Sequence, residues 1–154
     1  MTATLRVRTA KAEDFSACKT IVNQKENRAG FGRLFRPTFE DFATRAKSDP
    51  RYHIAVAVQG RRIVGFVRAL HRADGSHCTV HEICRDIHFK GAGVGPLLMD
   101  HVANAARAQG LPQLFLQTPQ RADAWRAYER LGFQRVGKTE SRKGTPLWAY
   151  AKPL

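Results

Sequence analysis

Apolar and polar positions change period several times along this 154-residue chain. Residues 4–9, TLRVRT, alternate and predict a half-buried strand. From Ala12 the period lengthens, and Phe15, Cys18, Ile21 and Val22 share one face of a helix. Residues 52–70, YHIAVAVQGRRIVGFVRAL, return to alternation and predict a hairpin. Ile54, Val56 and Val58 run out, Gln59-Gly60-Arg61 turns, and Ile63, Val64, Phe66 and Val67 run back. Gly65 inside the returning strand marks a bulge. His71 to Ser76 is the next turn, after which residues 77–85 come back as another strand.

The second half adds a helix between two strands. Val94, Leu97, Leu98, Val102, Ala105 and Ala106 recur at helical spacing over 94–109. Pro96 suits the first helical turn, where a missing N–H costs least. Gly110 is placed as a left-handed cap, and Pro112 prevents resumption. Leu114-Phe115-Leu116 is a short continuous apolar run, as in a strand buried on both faces. This makes one β-α-β unit with a right-handed crossover. Residues 122–133, ADAWRAYERLGF, predict a helix with Ala124, Tyr128 and Leu131 on one face, ended by Gly132, and Phe133 starts a strand. Residues 134–137 and 147–151 predict a closing hairpin around the basic loop KTESRKGT.

Residues 23–42 are less regular. Arg28, Arg33 and Arg36 interleave with Phe31, Phe35 and Phe39, and Gly30 and Gly32 make the first part a loop. Thr38 is placed to cap a short helix through Phe39–Phe42. The arginines and rings form either a mouth for an anionic or planar ligand or plain packing with solvated arginines.

Composition narrows the class. The length suits a single domain over residues 1–154 with a full core. No apolar run approaches the ~20 residues of a bilayer span, and no secretory signal opens the chain. Three cysteines make no disulfide framework, which points to a cytoplasmic protein with reduced thiols. Twenty-six Lys and Arg against 13 Asp and Glu leave a net charge of +13, a balance that favours anionic partners, nucleic acid among them. On a regular strand His77 and His81 face one way and Cys78 and Cys84 the other, so the four do not converge on a metal.

The chemistry concentrates at Lys90-Gly91-Ala92-Gly93-Val94-Gly95, between strand and helix. A helix N-terminus presents unpaired N–H groups and partial positive charge, and glycines let a ligand approach the backbone. A Walker loop would need Gly-Lys-Ser/Thr, yet Pro96 and Leu97 follow Gly95, and a dinucleotide fingerprint is equally unmatched. Lys90, Gly93 and Gly95 instead resemble the Arg/Gln-x-x-Gly-x-Gly/Ala loop of the GNAT superfamily of N-acetyltransferases. The segment ending Tyr128-Glu-Arg-Leu-Gly132-Phe133 resembles that family's Tyr-x-x-x-Gly-Phe. Lysine at the first loop position, Pro96, and Arg121 where an asparagine is usual are departures.

The resemblance implies an α/β (α+β mixed) fold: a central mixed, mostly antiparallel sheet of about seven strands flanked by about four helices, with one β-α-β acyl-CoA-binding unit. It implies acetyl transfer from acetyl-CoA directly to a primary amine, on a small molecule, an amino-acid derivative or a protein, and no metal. It implies an acyl-CoA site at Ile83, Cys84 and Arg85 on the entering strand and Lys90, Gly91, Ala92, Gly93, Val94 and Gly95 in the loop. Arg121 either reaches a CoA phosphate or caps its turn. Tyr128 matches the family's general acid toward sulfur; the plain alternative is a buried tyrosine with a hydrogen-bonded hydroxyl. Glu82 is the leading base candidate, acting through water, or else a salt-bridge partner for an arginine. His81, on the opposite face of a regular strand, is a weaker base candidate. A toxin acetylating aminoacyl-tRNA and a non-catalytic acyl-CoA-binding or regulatory module are the alternatives. The acceptor, its charge and a homodimer are left open.

Overall fold

A computed structural model describes residues 4–28 and 33–154, so the expectations for Gly30, Phe31 and Gly32 lie outside the described residues. Seven strands form one sheet. They are β1 (Leu5–Thr9), β2 (Tyr52–Gln59), β3 (Arg62–His71), β4 (Cys78–Arg85), β5 (Gln113–Pro119), β6 (Gln134–Glu140) and β7 (Pro146–Pro153). Their order is β1-β2-β3-β4-β5-β7-β6. Every pairing is antiparallel except β4 with β5. The described helices are α1 (Phe15–Val22), α2 (Lys25–Arg28), α3 (Arg36–Arg45), α4 (Val94–Ala108) and α5 (Ala124–Arg130). None of the described helices is long and apolar enough to cross a membrane.

The sheet separates two apolar layers. On one face α4 lays Val94, Leu98, Met99, Val102, Ala103 and Ala106 against Ala55, Ala57, Val67 and Leu114. Met99 and Ala103 therefore complete the stripe, while Leu97 and Ala105, counted in it from spacing, are only half-buried. On the other face Phe15, Cys18, Ile21 and Val22 of α1 join Phe39, Phe42 and Ala43 of α3 over Ile54, Val56 and Phe66.

Helix α3 is longer than the Thr38-capped turn predicted from sequence. It starts at Arg36, with Phe35 as the residue before it and Pro37 in the first turn. Proline is tolerated there, and burial of Phe39, Phe42 and Ala43 carries the helix on to Arg45. Arg36 lies over the Phe15 ring at 4.4 Å and pairs with Glu40 at 3.2 Å. Phe39 is 1% exposed. For these residues packing, not a mouth, is the role observed.

Two irregularities shape the middle of the sheet. Between β2 and β3, Ala57 pairs with Gly65 and Val58 with Ile63, so Val64 is an extra residue beside the predicted bulge at Gly65. A Cβ on Gly65 would lie 2.7 Å from Val94 Cγ1 and 3.0 Å from the Cys84 carbonyl oxygen. Its absence lets the start of α4 close onto the sheet. Between β3 and β4, Arg68 pairs with Glu82 and Ala69 with Val80, leaving His81 as the extra residue. That second bulge reverses the alternation of β4. Cys78 and Val80 pack on the α4 face, whereas Cys84 packs on the α1/α3 face. Cys78 and Cys84, expected on one face, are on opposite faces. Among the described residues no group of three or more His, Cys, Asp or Glu is arranged to hold a metal.

Candidate active site

Strands β4 and β5 pair only at Cys78–Leu114 and Thr79–Phe115. Beyond Thr79 the two parallel strands separate, and two cavities open along the split. One, of about 420 Å³, is lined by Asn27, Ile83, Cys84, Arg85, Gly95, Leu98, Arg121, Ala127, Tyr128 and Leu131, among others. The other, of about 230 Å³, is lined by Arg33, Val80, His81, Glu82, Ile83, Leu116, Gln117, Thr118, Pro119 and Tyr128. Ile83 and Tyr128 line both, so they stand where the two meet.

The larger cavity gathers Ile83, Cys84, Arg85, Gly95 and Arg121 from the residues expected to hold an acyl-CoA. Lys90, Gly91, Ala92, Gly93 and Val94 are not in its lining. The Val94 side chain is core, 1% exposed, so only its backbone is free to serve a ligand. Gly91 and Gly93 have φ of 80° and 84°, which admits the turn into α4 with Gly93 at the helix cap. Above Gly91, Gly93 and Gly95 a Cβ would meet nothing within 4 Å. That open ground beside an α-helix N-terminus suits a pyrophosphate. Arg85 Nε is buried with no hydrogen-bond partner. These features fit a long anionic ligand such as a coenzyme A derivative.

The end of β4 and the turn after it are braced from α2 and from Gln24 just before it. Asn27 Nδ2 donates to the Arg85 carbonyl at 2.9 Å, and the Gln24 side chain accepts from Ile87 N at 2.9 Å. Asp86 is 4% exposed. Its carboxylate accepts from His88 N, Gln24 and Arg62 at 2.9, 3.1 and 3.0 Å. Burial pushes the Asp86 carboxyl up, but these donors outweigh it and hold it below the usual range.

In the smaller cavity the bulge decides the geometry. His81 and Glu82, expected on opposite faces, line it together. His81 lies 6.4 Å from the Phe42 ring, and Arg68, which binds Glu82, lies over the same ring at 4.5 Å. Glu82 Oε1 accepts from Arg68 Nε at 2.8 Å and from its Nη2. Glu82 Oε2 is buried and has no partner. The salt bridge left open from sequence is thus present, and it leaves one carboxylate oxygen unused. Crowding by the protein, with Arg68 nearby, pushes the exposed-edged His81 imidazole down to about 4.

Burial, with a smaller push from Cys84, raises the Tyr128 phenol to about 12. Burial likewise raises the Cys84 thiol to about 12, so Cys84 is a poor nucleophile at neutral pH. Arg68, Asn27 and Thr118 were not singled out from sequence. Cross-strand pairing could have found Arg68, but an unbulged register places it opposite His81.

Residues 13–133 match the family model described as "Acetyltransferase (GNAT) family". Over 99 residues the chain is 34% identical to streptothricin acetyltransferase of Streptomyces lavendulae, covering 64% of this chain and 52% of that protein. Over 86 residues it is 35% identical to N-acetylaspartate synthetase of Danio rerio, covering 55% of this chain and 30% of that one. The matches thus span about half, or less, of these relatives' lengths. The fold is similar to PaiA N-acetyltransferase of Thermoplasma acidophilum, solved in complex with coenzyme A. That match has a TM-score of 0.77 and 11% identity, covering 98% of this chain and 99% of that one. With a family model that takes in most of its length and a matching fold, the chain belongs to the GNAT acetyltransferase family.

Proposed function

We propose that this chain is an N-acetyltransferase that takes the acetyl group of acetyl-CoA and passes it directly to a primary amine. The observation that carries this reading is the shared wall of the two cavities. Ile83 and Tyr128 line both the cavity that suits acetyl-CoA and the one that contains Glu82. An amine in the smaller cavity and a thioester in the larger would meet at that wall, and orientation of this kind is a large part of such catalysis.

Acetyl-CoA supplies the activated acetyl group. The Glu82 carboxylate, which lines the smaller cavity, takes a proton from the incoming ammonium, directly or through a water. Arg68 holds its Oε1 and so fixes the carboxylate. The amine nitrogen bonds to the acetyl carbon, the C–S bond breaks, and the extra proton left on nitrogen passes to the departing thiolate, giving the amide and the free thiol of CoA. The phenol of Tyr128, protonated throughout the neutral range, hydrogen-bonds the departing sulfur. Backbone groups of β4 near Ile83–Arg85 align the arm, and the glycine loop with Lys90 and Arg121 takes the phosphates.

Thermal unfolding with acetyl-CoA tests the co-substrate. At one hundred times its dissociation constant a ligand adds about 2.7 kcal/mol, roughly 5–10 °C for a domain of this size. We expect such a shift in the wild type and its loss in Gly95→Glu, where the new side chain enters open space. Absence of any shift at saturating acetyl-CoA overturns the reading.

A further inference from the structure

The smaller cavity carries a charge pattern that acetyl transfer alone does not demand. Its volume, about 230 Å³, lies below the ~300–1,000 Å³ typical of sites for drug-sized ligands. Its one carboxylate, Glu82, is already neutralised through Oε1 by Arg68 and keeps Oε2 buried and unpartnered. Arg33, an exposed residue, also lines it, with its guanidinium 5.4 Å from the centre of the Phe35 ring. Among the described residues no carboxylate pairs with Arg33. The neighbouring residues 29–32 are Ala-Gly-Phe-Gly and add no acid. With its pKa pushed down to about 4, His81 is neutral at pH 7.

The cavity therefore offers one carboxylate with an unfilled hydrogen-bond position and one unpaired cation. A polycationic amine would satisfy Glu82 but bring further positive charge beside Arg33. A simple alkylamine would leave Arg33 unanswered. An amine with its own anionic group answers both. Arg33 lines the smaller cavity and is not among the residues that line the larger.

We propose that the acceptor is a compact primary amine bearing an anionic group, carboxylate or phosphate. Its amine lies at the Glu82 carboxylate, and its anion lies at Arg33. This rests on the reading of the smaller cavity as the acceptor site of an acetyltransferase. Arg33 is then a specificity-determining residue. Charge-assisted contacts of a guanidinium with carboxylate or phosphate are among the stronger hydrogen bonds available.

The experiment compares matched amines as acceptors for the full chain with acetyl-CoA. L-alanine, L-aspartate and O-phosphoethanolamine carry the anion; L-alaninamide, ethanolamine and spermidine do not. We expect at least a tenfold higher kcat/KM for an anion-bearing member, and the carboxylate and phosphate arms tell which anion is preferred. In Arg33→Ala that ratio falls toward one through KM, with the acetyl-CoA thermal shift retained. Arg33→Lys restores part of it. Equal or better turnover of the neutral or polycationic amines overturns the proposal, as does an unchanged ratio in Arg33→Ala. An acetyl-CoA shift with no acetylation of any anionic amine also overturns it, while leaving the co-substrate reading intact. Absence of the shift removes the transferase reading itself.

Discussion

Burial pushes the Tyr128 phenol up to about 12, well above a thiol's ~8.5. Full proton transfer to a thiolate is then uphill, so in the proposed transfer the phenol would serve chiefly as a hydrogen-bond donor to developing charge on sulfur. Removing it in Tyr128→Phe should lower kcat by about 100-fold and leave the acetyl-CoA thermal shift in place. Loss of kcat and shift together would show a packing role instead. Glu82 reads differently: one oxygen is held by Arg68 and the other is unpartnered. Glu82→Gln keeps the shape and removes the base, so the rate should fall by at least tenfold with the acetyl-CoA thermal shift retained. An unaltered rate would remove Glu82 from the proton path. Both residues were visible in the sequence as candidates. Arg68 was not, because its partner depends on a bulge.

At the scale of elements, two glycines act for different reasons. Gly65 sits under α4, where a Cβ would lie 2.7 Å from Val94 Cγ1 and 3.0 Å from a backbone oxygen. Gly65→Ala should therefore destabilise by about 1–3 kcal/mol, a Tm drop of roughly 2–12 °C. Gly95 has open space around it, so Gly95→Ala should hold the Tm of the free protein and weaken only the acetyl-CoA shift. If both substitutions lower the free protein's Tm equally, the distinction fails. Strand and helix periods made most elements readable, including the bulge at Gly65. The extent of α3 was not, because burial of Phe39, Phe42 and Ala43 against α1 and the sheet carries it past a short capped turn.

The whole molecule should weaken as pH falls. His53 and His71 face each other, Nε2 to Nε2, at 2.6 Å. Burial first, then His71 and His101, push His53 down to about 4, and burial also lowers His71 and His101. Above their unfolded pKa of about 6.5 these groups are neutral in both states and contribute no pH dependence. Below it the unfolded chain binds protons that the folded chain resists, so stability falls from about pH 6.5 toward pH 4. The carboxyl of Asp86, held below its usual range, adds a second loss at lower pH. We expect Tm to fall by several degrees between pH 7 and pH 5, and His53→Gln to flatten that slope. A Tm independent of pH across this interval would contradict the arrangement.

The chain by itself determined the alternation of strands, the helix after the glycine loop and the Tyr-x-x-x-Gly-Phe segment, because these rest on local period and on residues with special backbone chemistry. It also marked Glu82, Tyr128 and Gly95. Tertiary structure alone decided which of these meet. A one-residue bulge at His81 inverts the faces of β4, brings His81 and Glu82 into one cavity, and sends Cys78 and Cys84 to opposite sides. The separation of β4 from β5 after Thr79 opens the space between them. Register across strands distant in sequence sets both features, and a pattern read along one strand carries no register.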